Sequence, residues 1–421
     1  MASESTLRFG AHTDEVTSFL RIVNMIRLGE AATRPEIGRV TGLGRGVVTQ
    51  RVDQAIELGY LEDGEFGPSS GGRAPRRLRF RSEQGLIVIC ALGARHINVG
   101  LTYLDGDVVA QANRDWDIAS GPAETLDTAM DMIDALRTEH PGVPVWGVAV
   151  GLPGPVDFES GRPVAPPIMP GWNGFDVRRR FEQRYEAPVW VDNDVNLLAF
   201  SERARRRTEH ADLIYCKVGS GIGAGLLSHG HVHRGANGAA GDIGHVRVRD
   251  SQAQCRCGKV GCLEAEAGGW ALVLDAERAL AEGAGGLLAT RTAAGEELTP
   301  DLIARCAEDG DAVAISLIQR SARTVGEAIA ALVNMFNPGT IVVGGAIAAA
   351  GEVFLAEVRQ RVYELSLPLA TRDLMIVQSV NDVREPLRGG ADMVREQLFD
   401  ATFPRWFADG RPSLQAIRQS A

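Results

Sequence analysis

A glycine-containing segment of 18 residues, 245–262, contains one histidine and three cysteines: His245, Cys255, Cys257 and Cys262. Imidazole and thiolate are the ligands that hold structural zinc tetrahedrally, and four of them complete such a site. The Cys-x-Cys spacing is tighter than the usual one, so a redox pair or a chance cluster is the alternative interpretation. The density of ligand types nevertheless predicts one structural zinc ion per chain.

Two carboxylates flank this segment, Asp242 before it and Glu264 after it. A zinc ion that closes the turn would also fix both carboxylates in place. Ionised carboxylate oxygens accept hydrogen bonds from hydroxyl groups. The pair, with His245 between them, therefore predicts a site for a polyhydroxy ligand.

The runs GANGAAGDIGH (235–245) and CRCGKVGCLE (255–264) resemble the signature of the ROK family, which contains sugar kinases and sugar-responsive repressors. The resemblance implies that the histidine and the three cysteines bind zinc. It also implies a set of sugar contacts. These are Gly154, Asn193, Asp194, Asp242, His245 and Glu264. Because the family usually has Glu where this chain has the shorter Asp242, the identity of the sugar stays open.

Length and composition predict a cytoplasmic protein of more than one domain. A chain of 421 residues exceeds one ordinary core and suggests two or three units. No apolar run is long enough to span a membrane, and the N-terminus lacks a signal-peptide pattern. Six cysteines in so long a chain favour a reducing compartment and a metal site over a disulfide framework.

Charge is divided unevenly along the chain. Residues 1–82 carry a net charge of +2 and the remainder carries −12, and the stretch 66–82 holds five arginines and no acid. A locally basic piece on an acidic body predicts a polyanionic partner for that piece. The alternative is a solvated basic loop.

The residues before this basic stretch predict three short helices, over 14–28, 34–40 and 45–58. A capping box that starts at Thr33 opens the second helix, and a glycine-bearing turn precedes the third. With the following hairpin they describe a winged helix-turn-helix. A small helical cap on an enzyme is the generic alternative. The runs TGLGRGVVTQRVDQAIELGYL (41–61) and GGRAP (71–75) also resemble the DNA-binding domain of ROK-family repressors.

The third helix is then expected to enter the major groove of DNA, mainly with its N-terminal half, because Asp53 and Glu57 repel phosphate. Arginine and glutamine suit guanine and adenine edges, and the basic hairpin suits a narrow minor groove. The predicted DNA contacts are Arg45, Thr49, Gln50, Arg51 and Gln54 from the helix, with Arg73 and Arg76 from the hairpin.

From residue 85 onward the pattern alternates strands and helices. The layout of strand, turn, strand and third strand in 85–111 recurs in 211–234, which indicates two related lobes. Helical patterns over 122–138 and 312–336 make each lobe α/β. The predicted fold is the two-lobed actin/hexokinase-like fold that the resemblance implies, preceded by the winged helix. Its predicted domains are a DNA-binding domain (1–82), a first lobe (83–200), a second lobe (201–400) whose end returns to the first, and a C-terminal tail (401–421).

Two functions compete for this architecture, a sugar kinase and a sugar-sensing regulator. A ROK kinase needs a carboxylate and a Gly-Thr-Lys-like turn in the first hairpin, and this chain has Ala91 and the turn residues 94–96, Ala-Arg-His. The second glycine-rich hairpin, 219–225, is intact, and Asp194 keeps the position of the kinase general base. The sequence therefore predicts a catalytically inactive sensor without catalytic residues, and an ATP-dependent sugar kinase is the alternative.

Taken together, these patterns predict a sugar-responsive transcriptional regulator, a repressor of carbohydrate genes. Its expected partners are a double-stranded DNA operator and a sugar or sugar phosphate, with no membrane. Two half-sites require a homodimer or homotetramer. The linker near 78–86 is expected to carry the signal to DNA. A scaffold or protein-responsive role is the third class left open.

Overall fold

The computed structural model describes residues 13–66, 76–206 and 211–418. The N-terminal head has three helices and a two-stranded antiparallel wing. Thr33 starts the second helix by accepting a hydrogen bond from the Glu36 backbone N–H at 3.4 Å, and Gly42 ends it with a φ of 72°. The bounds are α1 Thr13–Arg27, α2 Arg34–Thr41, α3 Arg45–Glu57, β1 Leu61–Phe66 and β2 Arg76–Phe80.

The first lobe is built on a five-stranded sheet in the order β5-β4-β3-β6-β9, antiparallel through β4 and parallel from β3 to β9. All seven residues of its central strand β3 are buried, because both faces of the sheet are covered. The bounds are β3 Leu86–Leu92, β4 His96–Tyr103, β5 Val108–Asp115, α4 Pro122–Arg137, β6 Val145–Leu152, β7 Val156–Asp157, β8 Arg162–Pro163, α5 Val177–Tyr185, β9 Val189–Asn193 and α6 Asp194–Arg205.

The second lobe repeats this arrangement with a sheet in the order β12-β11-β10-β13-β14. The repeat predicted from sequence is therefore present in the strand order, with a three-stranded antiparallel meander followed by two parallel strands. The bounds are β10 Leu213–Val218, β11 Ile222–Ser228, β12 His231–Val232, α7 Leu263–Ala267, α8 Gly269–Ala281, α9 Leu287–Ala293, α10 Pro300–Glu308, α11 Ala312–Phe336, β13 Thr340–Gly344, α12 Glu352–Leu365, α13 Pro368–Thr371 and β14 Met375–Gln378.

The last part of the chain leaves the second lobe and packs on the first. Helix α14 (Glu385–Glu396) lies against α6 and strands β3 and β6. The approach to α6 is close enough that a Cβ at Gly389 would lie 1.7 Å from the carbonyl oxygen of Leu197. A π-helical turn (Gln397–Ala401), α15 (Phe403–Trp406) and α16 (Leu414–Arg418) follow.

Residues 401–421 were predicted to form a tail, and this prediction is wrong for the part that follows the π-helical turn. Phe403 and Trp406 are fully buried, and with Phe399 and Phe407 they form a cluster that we call the aromatic clamp. The clamp joins the head to the first lobe: Tyr60 of the head donates a hydrogen bond to the Phe407 carbonyl oxygen at 2.7 Å. The tail prediction failed because three aromatic side chains of this segment, Phe403, Trp406 and Phe407, need a core to cover them.

Within the described ranges, no helix combines the length and the apolar character that crossing a bilayer requires.

Candidate metal centre and ligand cleft

The four predicted metal ligands come together in the second lobe. The donor atoms of His245, Cys255, Cys257 and Cys262 all lie within 4.8 Å of one another. The Sγ atoms of Cys257 and Cys262 are 3.7 Å apart, as are Cys255 Sγ and His245 Nδ1. Sulfur ligands about 2.3 Å from a tetrahedral ion lie about 3.8 Å apart. The spacing therefore fits one metal ion, which the histidine would hold through Nδ1.

Two tight turns explain why these ligands converge. Gly258 and Gly261 have φ angles of 87° and 79°, a region that side-chain-bearing residues rarely adopt. The Cys255 backbone N–H donates to the Lys259 carbonyl oxygen at 2.8 Å, which closes the loop between the ligands. Cys262 is then the N-cap residue of α7, so the metal loop runs directly into the helix that carries Glu264.

The protonation of the thiols links metal binding to pH. Burial, followed by the hydrogen bond with Cys257, raises the pKa of Cys262 to about 12. A metal ion takes cysteine as thiolate, so its binding releases protons at neutral pH and weakens as the solution becomes more acidic.

A polar cleft of about 1590 Å³ lies between the lobes beside the metal site. All six predicted sugar-contact residues line this cleft. They are Gly154 and Asn193 of the first lobe, Asp194 at the start of α6, and Asp242, His245 and Glu264 of the second lobe. The sequence-based set is thus brought together in space, and its role in ligand binding stays a prediction.

Asn193 lies in the cleft wall with its side-chain amide already engaged. Its Nδ2 donates to the Gly154 carbonyl oxygen at 2.8 Å, and its Oδ1 accepts from the Val195 N–H at 2.9 Å. The second bond makes Asn193 the N-cap of α6. Asn193 therefore holds Asp194, the first residue of α6, in position.

Asp194 is not free in the cleft, since Lys217 Nζ donates to its Oδ2 at 2.5 Å. The ion pair spans the two lobes, because Asp194 follows strand β9 and Lys217 lies on β10. Lys217 was not among the site residues predicted from the sequence. The available signal was its type: it is one of two lysines in a chain whose other basic residues are arginines.

Glu264 is held by two donors on the second-lobe side of the cleft. Its Oε2 accepts from the Ile222 N–H at 3.2 Å and its Oε1 from Trp270 Nε1 at 3.4 Å. The hairpin that carries Ile222 can come this close only because Gly221 has no side chain. A Cβ at this position would lie 2.3 Å from Glu264 Oε2. The missing side chain at Gly221 therefore leaves room for the Glu264 carboxylate beside this second hairpin.

Asp242 lies on a loop whose backbone conformation requires glycine at position 241. Gly241 has a φ of 93°, and a Cβ there would lie 1.8 Å from the Ala224 carbonyl oxygen. The Asp242 Oδ1 is 4.0 Å from His245 Nε2, the ring nitrogen that does not face the cysteines. A metal on Nδ1 would leave Nε2 as an N–H donor toward the cleft.

The first hairpin faces the same cleft without a carboxylate at its base. Ala91 is buried at 3% exposure, and its methyl group offers no ligand to a metal ion. At the turn, Arg95 reaches Glu297 of the second lobe at 3.3 Å. Desolvation by the surrounding protein, and then the charge of Lys217, lower the pKa of His96, although this side chain is exposed at the cleft.

A second ion pair joins the lobes below the cleft. Arg234 Nη2 lies 2.8 Å from Asp192 Oδ2, with the Asp192 side chain 3% exposed. The Arg234 guanidinium also stacks 3.8 Å from the Phe158 ring centroid. This pair was not anticipated from sequence, since its members are 42 residues apart.

The side chains that were predicted to contact DNA differ in their exposure. Arg45, Thr49 and Gln50 are exposed on α3. Arg51 is only 4% exposed, and its Nη2 lies 3.1 Å from Glu15 Oε1 of α1. The prediction of a DNA contact for Arg51 is therefore wrong, because this guanidinium ties two helices together inside the head.

Three other residues that were predicted to contact DNA differ from one another in their surroundings. Gln54 is half-buried and accepts from Arg51 Nη1 at 2.8 Å. Arg76 is exposed on the wing and lies 3.4 Å from Asp63. Arg73 lies outside the described residues. The repulsion expected from Asp53 is offset by Arg34, which is 3.0 Å away.

Comparisons with known proteins agree with this architecture. The ROK family model matches residues 88–397. The xylose repressor of Caldicellulosiruptor bescii is 29% identical over 92% of this chain and 97% of its own length. The DNA-binding transcriptional dual regulator NagC of Escherichia coli is 27% identical over 87% of this chain and 89% of its own.

Two solved structures share the fold. A ROK family transcriptional regulator, a homolog of the E. coli MLC protein, superposes with a TM-score of 0.79 over 94% of this chain and 99% of its own, at 24% identity. A ROK family glucokinase from Streptomyces griseus, in complex with glucose and AMPPNP, superposes with a TM-score of 0.65 at 29% identity, over 73% of this chain and 99% of its own. These matches confirm the predicted two-lobed fold, and the chain belongs to the ROK family.

Proposed function

We propose that the protein is a sugar-responsive transcriptional repressor, in which a sugar bound between the lobes lowers the affinity of the head for operator DNA. One observation carries this proposal: a helix-turn-helix head with an exposed reading face is joined to a cleft lined by carboxylates. Relatives that match between 79% and 92% of the chain are named as xylose repressors and as NagC. The similarity to glucokinases covers a smaller share, 73% of this chain.

The head supplies the DNA-binding surface. The exposed side chains at the start of α3 are those that can reach base edges in a major groove, and the exposed wing arginines suit phosphates or a minor groove. The proposed contacts are Arg45, Thr49, Gln50, Gln54, Arg73 and Arg76. Because a palindromic operator presents two half-sites, we propose that the repressor acts as a homodimer or a higher symmetric assembly.

The cleft and the head are connected through packed elements. Asp194 begins α6, and α6 packs along α14. Helix α14 leads through the π-helical turn into the aromatic clamp, which contacts Tyr60 of the head. A change in lobe closure that moves α6 therefore displaces the surface on which the head rests. This connection complements the direct linker through residues 78–86.

We propose zinc as the metal, because three thiolates and one imidazole at tetrahedral spacing are a zinc donor set. Zinc would supply structure here by holding the turn before α7. His245 would then orient its Nε2–H toward the cleft, and Glu264 would keep its place in the first turn of α7. Purified protein is expected to contain about one zinc per chain by elemental analysis.

Removal of a ligand tests this assignment. Cys257→Ser is expected to lose the zinc and to unfold at a lower temperature, since three ligands do not close the site. Cys216→Ser is the matched control, because Cys216 is buried in the β10 strand and belongs to no metal cluster among the described residues. It is expected to keep its zinc. A Cys257→Ser protein with full zinc content would remove the proposed site.

The kinase alternative is favoured by Asp194 and by the intact second hairpin. Against it stand the missing carboxylate at Ala91 and the lysine that already occupies the Asp194 carboxylate. With ATP, magnesium and a panel of sugars, we expect no phosphoryl transfer above the level of an Asp194→Asn protein. Turnover that depends on Asp194 would establish the kinase function instead.

Selection from a random duplex library, followed by a binding assay, tests the DNA function. A near-palindromic site is expected, and Gln50→Ala or Arg45→Ala should weaken binding by about 1–3 kcal/mol, roughly 5- to 150-fold. Arg372→Ala, which removes an exposed arginine of the second lobe, is the control for a lost positive charge. Equal weakening by Arg372→Ala would show that the helix is not the reading element.

A further inference from the structure

The ion pair between Lys217 and Asp194 lies inside the cleft, where both side chains contribute to its lining. The Asp194 side chain is 13% exposed and the Lys217 side chain 29%. A lysine ammonium has three N–H donors, and a carboxylate offers about four acceptor positions. The pair therefore keeps donors and acceptors for a ligand after its own hydrogen bond is made.

The charges around the cleft limit what that ligand can be. Seven carboxylates line it against three arginine or lysine side chains. An anionic ligand would meet net repulsion unless a metal ion neutralised it, as magnesium does in phosphoryl transfer. The hairpin that would help to place such an ion has Ala91 at its base. The acidic residues are Asp115, Asp117, Asp194, Asp242, Glu264, Glu297 and Asp301, and the basic ones are Arg95, Lys217 and Arg256.

Hydroxyl and phosphate groups differ in how they meet the ion pair. A hydroxyl group can donate to the Asp194 carboxylate and accept from the Lys217 ammonium at the same time. A phosphate dianion only accepts, so it could bond to Lys217 while facing the charge of Asp194 with no proton to share. Adjacent hydroxyls of a sugar satisfy both partners, and a phosphate ester at the same position satisfies one.

We propose that Lys217 is a ligand-binding residue and that the Lys217–Asp194 pair selects an uncharged sugar with adjacent hydroxyls over its phosphate ester. This inference rests on the proposed sugar-sensing function and specifies its effector class. Lys217 and Asp194 come from different lobes, so a sugar held by both would bridge the cleft. The ligand-induced closure and the choice of ligand thus depend on the same two side chains.

Calorimetry on the full-length protein tests the selection. The probes are xylose, glucose and N-acetylglucosamine, each compared with its phosphate ester. At least one free sugar is expected to bind, and its phosphate ester to bind at least tenfold more weakly. Lys217→Met should weaken binding of that sugar by about tenfold or more, since a hydrogen bond from a charged group is lost.

The second lysine of the chain provides a matched control. Lys259 is exposed and outside the cleft lining, so it is the reference for chemical labelling, while Arg372→Met, which removes an exposed cation of the second lobe, should bind the sugar as the unaltered protein does. Acylation of lysines followed by mass spectrometry reports the same contrast in one sample. Sugar should protect Lys217 from the reagent and leave the reaction at Lys259 unchanged.

The outcomes separate this inference from the proposed function. If no sugar binds or changes DNA affinity, the proposed function itself fails. If a sugar changes DNA affinity but its phosphate ester binds more tightly, the selection is wrong. If Lys217→Met binds the sugar as tightly as the unaltered protein, or if sugar leaves Lys217 equally reactive, Lys217 is not a ligand-binding residue.

Discussion

On one side the first lobe meets the N-terminal head through aromatic rings, and on the other it faces the second lobe across a polar cleft. At the head, Trp406 packs 5.6 Å from the Trp146 ring centroid and 6.2 Å from that of Tyr60. At the cleft, the lobes are joined by the ion pairs Asp194–Lys217 and Asp192–Arg234, and beside it α6 packs through apolar side chains on β10 and β11. The interface with the head is built from aromatic rings, whereas the cleft adds to the apolar contact between the lobes charged groups that water or a ligand can satisfy.

This difference assigns the two interfaces different mechanical roles. Displacement of the aromatic clamp would expose several large apolar side chains, which costs free energy in proportion to their area. A polar cleft can open and exchange protein hydrogen bonds for bonds to ligand or water at little net cost. We therefore expect the lobes to move at the cleft, while the head stays packed on the aromatic clamp and follows its displacement.

The largest effect is expected at the aromatic clamp. Trp406→Ala removes a fully buried indole and should lower the free energy of unfolding by about 3–5 kcal/mol. The same substitution at the half-buried Trp270, on the wall of the cleft, should cost clearly less. Denaturant unfolding measures both. Equal losses at the two positions would contradict the proposed difference between the interfaces.

The buried inter-lobe ion pair is expected to come next. Arg234→Met leaves the Asp192 carboxylate buried without its cation, which should cost on the order of 3 kcal/mol. The cost is moderated because Asp192 also accepts hydrogen bonds from Asn196 and from the Asn193 backbone. Replacing both partners, in Asp192→Asn with Arg234→Met, should recover part of the loss. A double variant less stable than Arg234→Met would show that the Asp192 carboxylate is stabilised mainly by its hydrogen bonds from Asn196 and the Asn193 backbone, and not by the arginine.

Within the cleft, the loss of a single carboxylate should lower the affinity for the ligand and change the stability of the protein only slightly. Glu264→Gln replaces an acceptor that Ile222 and Trp270 orient, so sugar affinity should fall by about 1.5–3 kcal/mol, roughly 10- to 150-fold. Calorimetry measures the affinity and thermal unfolding serves as control. Unchanged affinity for sugar would place the effector elsewhere.

The smallest effect is expected at the rim of the cleft. Arg95 and Glu297 are 69% and 71% exposed, so their ion pair should contribute less than about 1 kcal/mol to stability. Arg95→Ala should therefore leave unfolding nearly unchanged. A large loss of stability would mean that the rim, and not the buried pair, holds the lobes together.

Most of the fold could be predicted because local patterns specified it. The helices at 122–138 and 312–336 and the repeated meander followed from periodicity and glycine turns, and they are present as α4, α11 and the two sheets. The metal cluster was equally accessible, since its last three ligands lie within eight residues of one another. These features depend on residues that are close in the chain.

The features that were missed depend on contacts between distant segments. Lys217 and Asp194 are 23 residues apart, and Tyr60 and Phe407 are 347 apart. Arg51 was assigned to DNA from its type and helical position, but its partner Glu15 lies on another helix. Residue type alone did not show which charged side chains are used within the fold.

The most direct test of the account is the binding of a fluorescent operator duplex by the full-length protein while sugar is added. The account predicts that one uncharged sugar weakens DNA binding in the unaltered protein. It also predicts that Glu264→Gln binds the duplex with unchanged affinity in the absence of sugar and loses most of the response. A duplex affinity that no sugar changes, or a response that persists fully in Glu264→Gln, would contradict it.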